Sequence, residues 1–363
     1  MRTENRISWW RTKIGDAELA KIKQSIQGEN ISQGPVTFEF EKRISEILGV
    51  PYVVSCTSGS TALLMASISL GIGSGDEVIV PNRTWIATAH AVLMAGAKVV
   101  LADDDGLRPE VFVQSVKKKI NSRTKAIVPV HLGGRGADML GLEKIARKKN
   151  ILIFEDAAQA FYSKNENGFL GTQSEAGCFS LSVPKLITTG QGGFVVTRNR
   201  KTYQKLQSLR NHGVMDPVMV KYKRMGFNFR FNDILASIGC CQLDRLNEKA
   251  ANVKKIYNLY KQKLPRTSSL SFLEVNLSIG EIPLYAEIFA KKRTRLIKYL
   301  QTQKIQTRPY YPNLNEAHHL RDSAKFPAAA QFGRHGLFLP CGPDQPIENV
   351  NKTIAAIKNF LDL

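Results

Sequence analysis

Between residues 50 and 200 the chain alternates short apolar runs with longer amphipathic ones. The short runs are rich in Val, Ile and Leu, as buried strands are, and the longer runs repeat their apolar residues at helical spacing. The predicted strands are 53–56, 77–81, 98–102, 126–130 and 151–154, and the predicted helices are 61–70, 87–95 and 140–149. This alternation predicts βαβ units around a mostly parallel sheet flanked by helices.

Beyond residue 230 the pattern changes. Helical spacing dominates residues 232–264, with Asp233 as a candidate N-cap. After Pro265 strand-like and helical runs are mixed, which predicts a smaller α+β unit. We therefore expect an α/β fold with a large domain over residues 1–250 and a small C-terminal α+β domain over 251–363, joined by a long helix.

The composition is that of a globular protein, and the net charge has more than one interpretation. Of 363 residues, 43% are hydrophobic and 23% charged, which excludes a disordered or fibrous chain. The net charge of +20 is spread out, with clusters at 117–119, 147–149 and 291–293 in polar, helix-like stretches. Two interpretations stay open, a solvated surface or the attraction of a phosphorylated small molecule. No recognised motif indicates nucleic acid.

Cysteine usage and the N-terminus predict the compartment. The five cysteines have no metal-ligand spacing and lie in apolar or Gly-containing contexts, so we expect buried thiols and no metal site. The first eleven residues lack the apolar core of a signal peptide, and no apolar stretch reaches about 18 residues. We expect a soluble, cytoplasmic protein with no membrane partner.

Ser-Gly-Ser-Thr at residues 58–61 follows a predicted strand and opens a predicted helix. Small residues there allow backbone N–H groups to approach an anion, which the helix dipole also favours. The segment is thus either a phosphate cradle or a plain N-cap, and both interpretations stay open. The glycines at 71, 73 and 75 lack a preceding strand and a following helix, so we expect a loop and not a dinucleotide fingerprint.

Two carboxylates, Glu155 and Asp156, end the predicted strand at 151–154. Ligands of open α/β sheets gather outside the carboxyl ends of the strands. Adjacent residues of an extended backbone point to opposite faces, so we expect one of the two to face a site. An acidic helix start is the alternative.

Lys185 lies between a small-residue turn and the Gly-rich run 190–193. A lysine at such a place is usually solvated, but Pro184 before it and the apolar pair after it favour a fixed position. Lysine in a desolvated site can lose its proton and form a Schiff base.

The order of these segments, an anion cradle, a carboxylate at a strand end and then a lysine, resembles that of fold type I pyridoxal-phosphate enzymes. Further motifs occur in register, and together they resemble the DegT/DnrJ/EryC1/StrS group of nucleotide-sugar aminotransferases over about residues 6–360. They are SGSTAL (58–63), VPNRTWIATA (80–89), EDAAQ (155–159), FS (179–180), KLITTGQGG (185–193), RNHG (210–213) and GFNFR (226–230).

The resemblance implies a fold type I aminotransferase that uses pyridoxal 5'-phosphate. Lys185 would hold the cofactor as a Schiff base and move the proton, and Asp156 would pair with the pyridinium nitrogen. Trp85 would stack on the ring, and Gln159 would contact its 3-hydroxyl. The phosphate would be held by Gly59, Ser60 and Ser180, and by Asn228 of the neighbouring subunit of a homodimer. Without the resemblance, Trp85 would be a core aromatic and Asn228 a turn residue.

Some positions depart from the family pattern. Ser-Val-Pro at 182–184 stands where relatives commonly carry His or Asn, Gln191 stands where Glu is usual, and Phe-Tyr at 161–162 replaces a frequent His-Gly or Leu-Gly. Asn315 is the nearest counterpart of a usual His. The runs ITTGQGG (187–193) and TRPYYP (307–312) look like those of members that aminate C4 of a 4-keto-6-deoxy sugar, with Arg308 and Tyr310 as candidate substrate contacts.

The expected reaction passes an amino group from L-glutamate to a nucleotide-diphosphate keto sugar, giving an amino sugar for surface polysaccharide or glycan biosynthesis. One alternative is a cofactor-dependent sugar dehydratase of the same family, but that branch replaces the Schiff-base lysine with His, and Lys185 argues against it. The other alternative is a non-catalytic binding or regulatory protein, which rests on the charge alone.

Overall fold

A computed structural model describes residues 6–106, 108–215, 220–222 and 224–362. Its helices are α1 (Asp16–Gln27), α2 (Pro35–Leu48), α3 (Gly59–Ser69), α4 (Ala87–Met94), α5 (Val113–Lys119), α6 (Met139–Arg147), α7 (Arg200–Arg210), α8 (Asp233–Asp244), α9 (Leu246–Lys263), α10 (Arg293–Thr302), α11 (Pro327–His335) and α12 (Ile347–Leu361). None of the helices in this described part is long and apolar enough to cross a bilayer.

The strands are β1 (Tyr52–Cys56), β2 (Glu77–Pro81), β3 (Lys98–Ala102), β4 (Thr124–Ile127), β5 (Leu152–Ile153), β6 (Glu155–Asp156), β7 (Lys164–Asn165), β8 (Gly168–Phe169), β9 (Gly177–Ser180), β10 (Gly193–Thr197), β11 (Leu270–Phe272), β12 (Ala286–Ala290), β13 (Arg308–Pro309) and β14 (Gly336–Leu339). The predicted strands 77–81 and 98–102 are observed to the residue, and the other predicted elements shift by one to three residues at their ends.

Two sets of strands form the central sheet. Strands β3, β2, β4 and β5 pair in parallel, and the second set has the order β6, β9, β10 and β1. Only Phe154 separates β5 from β6, and the Asp156 amide donates to the Pro129 carbonyl beyond β4, so the two sets form one continuous surface. The α/β, fold type I architecture is thereby confirmed.

One strand runs against the others. Strand β10 is antiparallel to both β1 and β9, while β9 is parallel to β6. The carboxyl ends of β1, β2, β4, β6 and β9 therefore lie at one edge together with the amino end of β10. The motifs at 58–63, 80–89, 155–159, 179–180 and 185–193 lie at this edge, whereas those at 210–213 and 226–230 lie between α7 and α8.

The C-terminal part has its own antiparallel sheet, in the order β11, β12, β14 and β13. Helix α12 packs against α9 and α10 beside it. The predicted domain boundary at 250/251 falls inside α9, four residues after its start, and it stays a prediction.

The expectation for Asp233 is corrected by the structure. Asn232 caps α8, and its side chain accepts the Leu235 amide. The buried Asp233 carboxylate instead accepts the amides of Gly34, Val36 and Thr37, so it caps α2 from about two hundred residues away. The predicted helical stretch 232–264 is divided into α8 and α9 at Arg245.

The sheet is covered by apolar helix faces. Helix α3 is buried along most of its length, and Phe40 of α2 is fully buried against Phe194 and Phe231. Truncating a buried Phe of this kind to Ala costs roughly 3–5 kcal/mol. All five cysteines (Cys56, Cys178, Cys240, Cys241 and Cys341) are buried free thiols, as expected.

Candidate active site

Lys185 lies inside a loop that is closed at its base by backbone hydrogen bonds. The Leu181 amide donates to Gly192, and the Thr189 amide donates to Leu181, at 2.9 and 3.0 Å. The Tyr285 hydroxyl donates to the Pro184 carbonyl at 3.1 Å, which ties the residue before Lys185 to the C-terminal part. Burial lowers the pKa of the Lys185 ammonium to about 8, while Asp156 acts in the opposite direction. The amine is thus available as a nucleophile near neutral pH.

Asp156 ends β6 and is 4% exposed. The Thr88 hydroxyl donates to Oδ2 at 2.7 Å, and the Ala158 amide donates to Oδ1 at 3.0 Å. Burial raises the pKa of Asp156 above its ordinary value, against these two hydrogen bonds and the charge of Lys185. A cation placed on the carboxylate would oppose that rise and keep it ionised.

Glu155 points away from the loop of Lys185 and is completely buried. Its carboxylate accepts the Gly171 and Gln173 amides at 2.7 and 2.8 Å, and the Ser174 hydroxyl at 2.8 Å. Of the two adjacent carboxylates, the structure therefore gives Glu155 a role in positioning, as the alternation of extended backbone predicts.

His131 completes this arrangement. The Ala137 amide donates to His131 Nδ1 at 3.1 Å, so the ring proton is on Nε2, which donates to Glu155 at 2.8 Å. The His131 amide also donates to the Asp156 carbonyl at 3.0 Å. One residue thus contacts the side chain of Glu155 and the backbone of Asp156, and it fixes both carboxylates relative to β4.

The segment 58–61 forms the N-cap of α3, and its role as a phosphate cradle stays a prediction. The Ser58 hydroxyl accepts the Thr61 amide at 3.1 Å, which leaves the first-turn amides at Gly59 and Ser60 without an intrahelical partner. A Cβ added to Gly59 would lie 2.7 Å from Ser180 Cβ, so glycine is required for this close approach. A Cβ on Gly193 would lie 2.5 Å from Ser58. The two glycines bring Ser180 and the start of α3 together.

Trp85 and Gln159 flank this edge of the sheet. Trp85 is 56% exposed and packs edge-on against Tyr311, with ring centroids 5.6 Å apart. The Gln159 Oε1 atom accepts the Gly133 amide at 2.9 Å, so its Nε2 group is oriented to donate. Burial raises the pKa of Tyr311 to about 12, against a hydrogen bond with Gln159.

Arg83 holds Tyr311 opposite Trp85. It is 1% exposed and donates to the Tyr311 carbonyl at 3.0 Å and to the Asn313 side chain at 2.9 Å. Its guanidinium carbon lies 4.9 Å from the centroid of the Tyr311 ring. The loop after β2 is thus fastened to the C-terminal part.

A reciprocal amide pair adds to this connection. The Asn82 side chain donates to Asn315 Oδ1 at 2.9 Å and accepts the Asn315 amide at 2.8 Å. Asn315 therefore has a structural partner in this chain.

The candidate substrate residues Arg308 and Tyr310 occupy different surroundings. Tyr310 is buried, and its hydroxyl donates to Glu287 at 2.7 Å. Arg308 is exposed, and its guanidinium carbon lies 5.5 Å from the centroid of the Trp9 ring. Their role in substrate binding stays a prediction.

Asn228 is exposed, in the segment between α7 and α8. It pairs with Asn211 in an isolated antiparallel bridge, and the Arg230 amide donates to its side chain at 3.5 Å. The bridge follows directly after Arg210, whose guanidinium donates to Glu41 at 2.5 Å and to the Ser55 carbonyl at 3.1 Å. A buried ion pair therefore anchors the base of the segment that carries Asn228.

A small cavity joins several of the predicted residues, with Gln159, Ser180 and Lys185 in its lining. The surroundings fit pyridoxal phosphate: a partly desolvated amine, a buried carboxylate, and a glycine-dependent approach of Ser180 to the first turn of α3. Of these features, the sequence indicated the lysine, the carboxylate and the small residues.

Sequence reasoning missed several side chains that support the site, namely Thr88, His131, Arg83 and Arg210. Thr88 lies inside a predicted helix, and Arg83 and Arg210 resemble surface residues by type alone. His131 follows a predicted strand at the same sheet edge as Asp156, and this place after a strand is the one signal that could have found it.

This chain is similar to known proteins over nearly its whole length. The model of the DegT/DnrJ/EryC1/StrS aminotransferase family matches residues 12–358. The GDP-perosamine synthase of Caulobacter vibrioides is 33% identical over 91% of this chain and 91% of its own. The UDP-N-acetyl-3-dehydro-alpha-D-glucosamine 3-aminotransferase of Acidithiobacillus ferrooxidans is 31% identical over 96% of this chain and 95% of its own.

A solved structure is also similar to the structure of this chain. The crystal structure of S. venezuelae DesV in complex with a ketimine intermediate superimposes with a TM-score of 0.91 at 28% identity. The match covers 95% of this chain and 94% of that one.

Proposed function

The chain belongs to the DegT/DnrJ/EryC1/StrS aminotransferase family, and we propose that it transfers an amino group from L-glutamate to C4 of a nucleotide-linked 4-keto-6-deoxy sugar. That it is a pyridoxal-phosphate-dependent sugar aminotransferase follows from the family and its named relatives. The position aminated, the sugar and the donor are the proposed part.

The observation that carries the catalytic part of the proposal is the surroundings of Lys185. Its amine has a pKa lowered to about 8, in a loop fixed at its base, and it lies close enough to Asp156 for the two charges to interact. An amine that is partly neutral can attack a carbonyl carbon and can afterwards accept and return a proton. We therefore assign Lys185 both the covalent attachment and the proton transfer.

Bound pyridoxal phosphate would supply an aldehyde and an electron-withdrawing pyridinium ring. Asp156 would hold the proton on the ring nitrogen, because its carboxylate is buried and fixed by Thr88 and Ala158. Gln159 would donate to the ring hydroxyl through Nε2, since its oxygen is occupied by Gly133. Trp85 would cover one face of the ring.

Gly59, Ser60 and Ser180 would bind the phosphate through first-turn amides and hydroxyls. Asn228 would reach the phosphate of a second subunit. Its exposure in a single chain supports this assignment, because a partner subunit could approach it.

Sugar recognition at C4 rests on two supports. The runs at 187–193 and 307–312 look like those of C4-aminating members, and a GDP-perosamine synthase is 33% identical over 91% of this chain. Trp85 and Tyr311, held by Arg83, would form the wall against which the sugar lies.

Amination at C3 is the second candidate. It is favoured by the 31% identity to a UDP-N-acetyl-3-dehydro-glucosamine 3-aminotransferase over 96% of this chain. The two candidates differ in the sugar carbon that receives the amino group. They also differ in the nucleotide named for the relative, which is GDP for the first and UDP for the second.

A substrate panel separates them. Purified holoenzyme with L-glutamate is offered GDP-, UDP- and dTDP-linked 4-keto-6-deoxy sugars and a UDP-linked 3-keto sugar, and products are read by mass and by NMR assignment of the aminated carbon. We expect amination at C4, and the Lys185→Ala variant as control should give no product. Turnover of the 3-keto sugar alone would contradict the proposed substrate while leaving the aminotransferase activity intact.

A further inference from the structure

Two of the basic clusters that are separate in the sequence come together in the structure. Residues 117–119 end α5, and residues 147–149 lie at the end of α6, and both helices border a cavity of about 1090 Å³. Four lysines line it, Lys117, Lys144, Lys148 and Lys149, and all four are exposed. The third cluster, at 291–293, does not take part.

The four lysines outnumber the two acidic residues, Asp105 and Asp138, in the described lining of the cavity. Lys144 and Lys148 are four residues apart on one helix, and like charges at that spacing repel each other by a few tenths of a kcal/mol. None of the four forms a salt bridge with a residue in the described ranges, whereas Lys42 and Lys352, at the same spacing on other helices, each face a glutamate. The repulsion between Lys144 and Lys148 therefore remains where α6 lines the cavity.

Two acidic residues, Asp105 and Asp138, also line the cavity, and both carboxylates are engaged. Asp138 accepts the Gly141 amide at 2.9 Å and caps α6, and Asp105 accepts the Arg108 amide at 2.9 Å. An anion from outside the chain would therefore meet a surplus of positive charge.

Apolar side chains supply the other part of the lining. Phe112 is 43% exposed, and Ile120, Ile145 and Ile151 are partly to largely buried beside it. The volume of the cavity slightly exceeds the usual range for small-molecule sites, about 300–1,000 Å³. An apolar floor next to a lysine rim fits a ligand that has both a flat apolar part and phosphate groups.

We propose that the cavity between α5 and α6 binds a phosphorylated small molecule with an aromatic part, of the nucleoside diphosphate class, at a site separate from the Lys185 site. None of its lining residues belongs to the candidate active site. The proposal does not depend on the sugar or the donor of the reaction, and it gives part of the +20 charge a function.

Hydrogen–deuterium exchange of the holoenzyme with and without millimolar ADP tests the site, because exchange reports each segment separately. We expect ADP to slow exchange in residues 111–122 and 138–151. The Lys144→Glu/Lys148→Glu variant should weaken ADP binding at these segments by roughly tenfold or more, since each reversal replaces attraction of the phosphates by repulsion. Turnover of the variant should equal that of wild type.

The matched control is Lys291→Glu/Lys292→Glu, which makes the same change of net charge in the cluster away from the cavity. It should leave the protection by ADP intact. Pyrophosphate alone and adenosine alone should each protect these segments less than ADP. Three outcomes would overturn the proposal. Exchange could be unchanged by ADP, the protection could remain in the Lys144→Glu/Lys148→Glu variant, or pyrophosphate alone could give the full protection.

Discussion

The surroundings of Asp156 and the segment around Asn228 are built in opposite ways. Asp156 is 4% exposed, and both of its carboxylate oxygens accept hydrogen bonds of 3.0 Å or less. Asn228 is exposed, the bond to its side chain is 3.5 Å long, and its neighbours Met225 and Phe227 are 69% and 53% exposed. The first region is complete within one chain.

The second region carries apolar surface that a single chain leaves in water. Exposed apolar groups of this kind commonly mark contact sites. The difference supports a site of which one half is preorganised by folding and the other half is supplied by a second subunit. The following experiments test each half.

Lys185→Ala should have the largest effect and abolish transamination, because no other amine in the loop can replace the nucleophile. The fold should survive, since the loop is closed by backbone bonds. Borohydride reduction of wild-type holoenzyme followed by peptide mapping should place the pyridoxyl label on Lys185. Label on a different lysine would contradict the assignment. The substitution of Lys201, an exposed residue of α7, by Ala is the control for substitution itself.

Asp156→Asn should keep the cofactor but lose turnover on the order of 10²- to 10³-fold. The neutral amide cannot hold the ring proton, and losing a buried charge pair costs roughly 3–5 kcal/mol. Steady-state kinetics and the absorbance of bound cofactor measure the two effects separately. Turnover within a few-fold of wild type would mean that another acid holds the proton on the ring nitrogen of the cofactor.

Glu155→Gln should lower turnover by about tenfold and destabilise the fold by about 1–3 kcal/mol, because the amide NH2 would face backbone donors in a buried site. A displaced Asp156 should also change the pH dependence of the cofactor's absorbance band. The exposed Glu46→Gln is the matched control. If the melting temperature falls while the band and kcat stay as in wild type, the His131–Glu155 pair is structural only.

Mixing of subunits has the smallest expected effect on activity, but it tests the shared site most directly. Lys185→Ala chains combined with Asn228→Asp chains should recover about a quarter of wild-type activity, because half of the random dimers are mixed and each has one intact site. The added carboxylate should repel the phosphate, so the parent enzymes should be nearly inactive. Native mass spectrometry verifies the mixing. Activity no higher than that of the parents would show that Asn228 does not complete the partner's site.

The two halves also differ in what the sequence could predict. The strands 77–81 and 98–102 were predicted to the residue because buried β-branched runs are a local signal. The sequence indicated Asp156 because it ends such a run, and Lys185 because it lies between a turn and a Gly-rich run, and the roles of both stay predictions. The cap made by Asp233 on α2 and the pair Arg210–Glu41 were not found, because both join residues more than 150 positions apart.

The cap made by Asp233 has a consequence for synthesis of the chain. The amide of Thr37 receives its partner from a residue 196 positions later. At roughly 5–20 residues per second, about 10–40 s pass between the emergence of the two from the ribosome. During this interval α2 has an uncapped N-terminus, and its apolar face lacks α8. Helix α2 is therefore open to a chaperone throughout this interval.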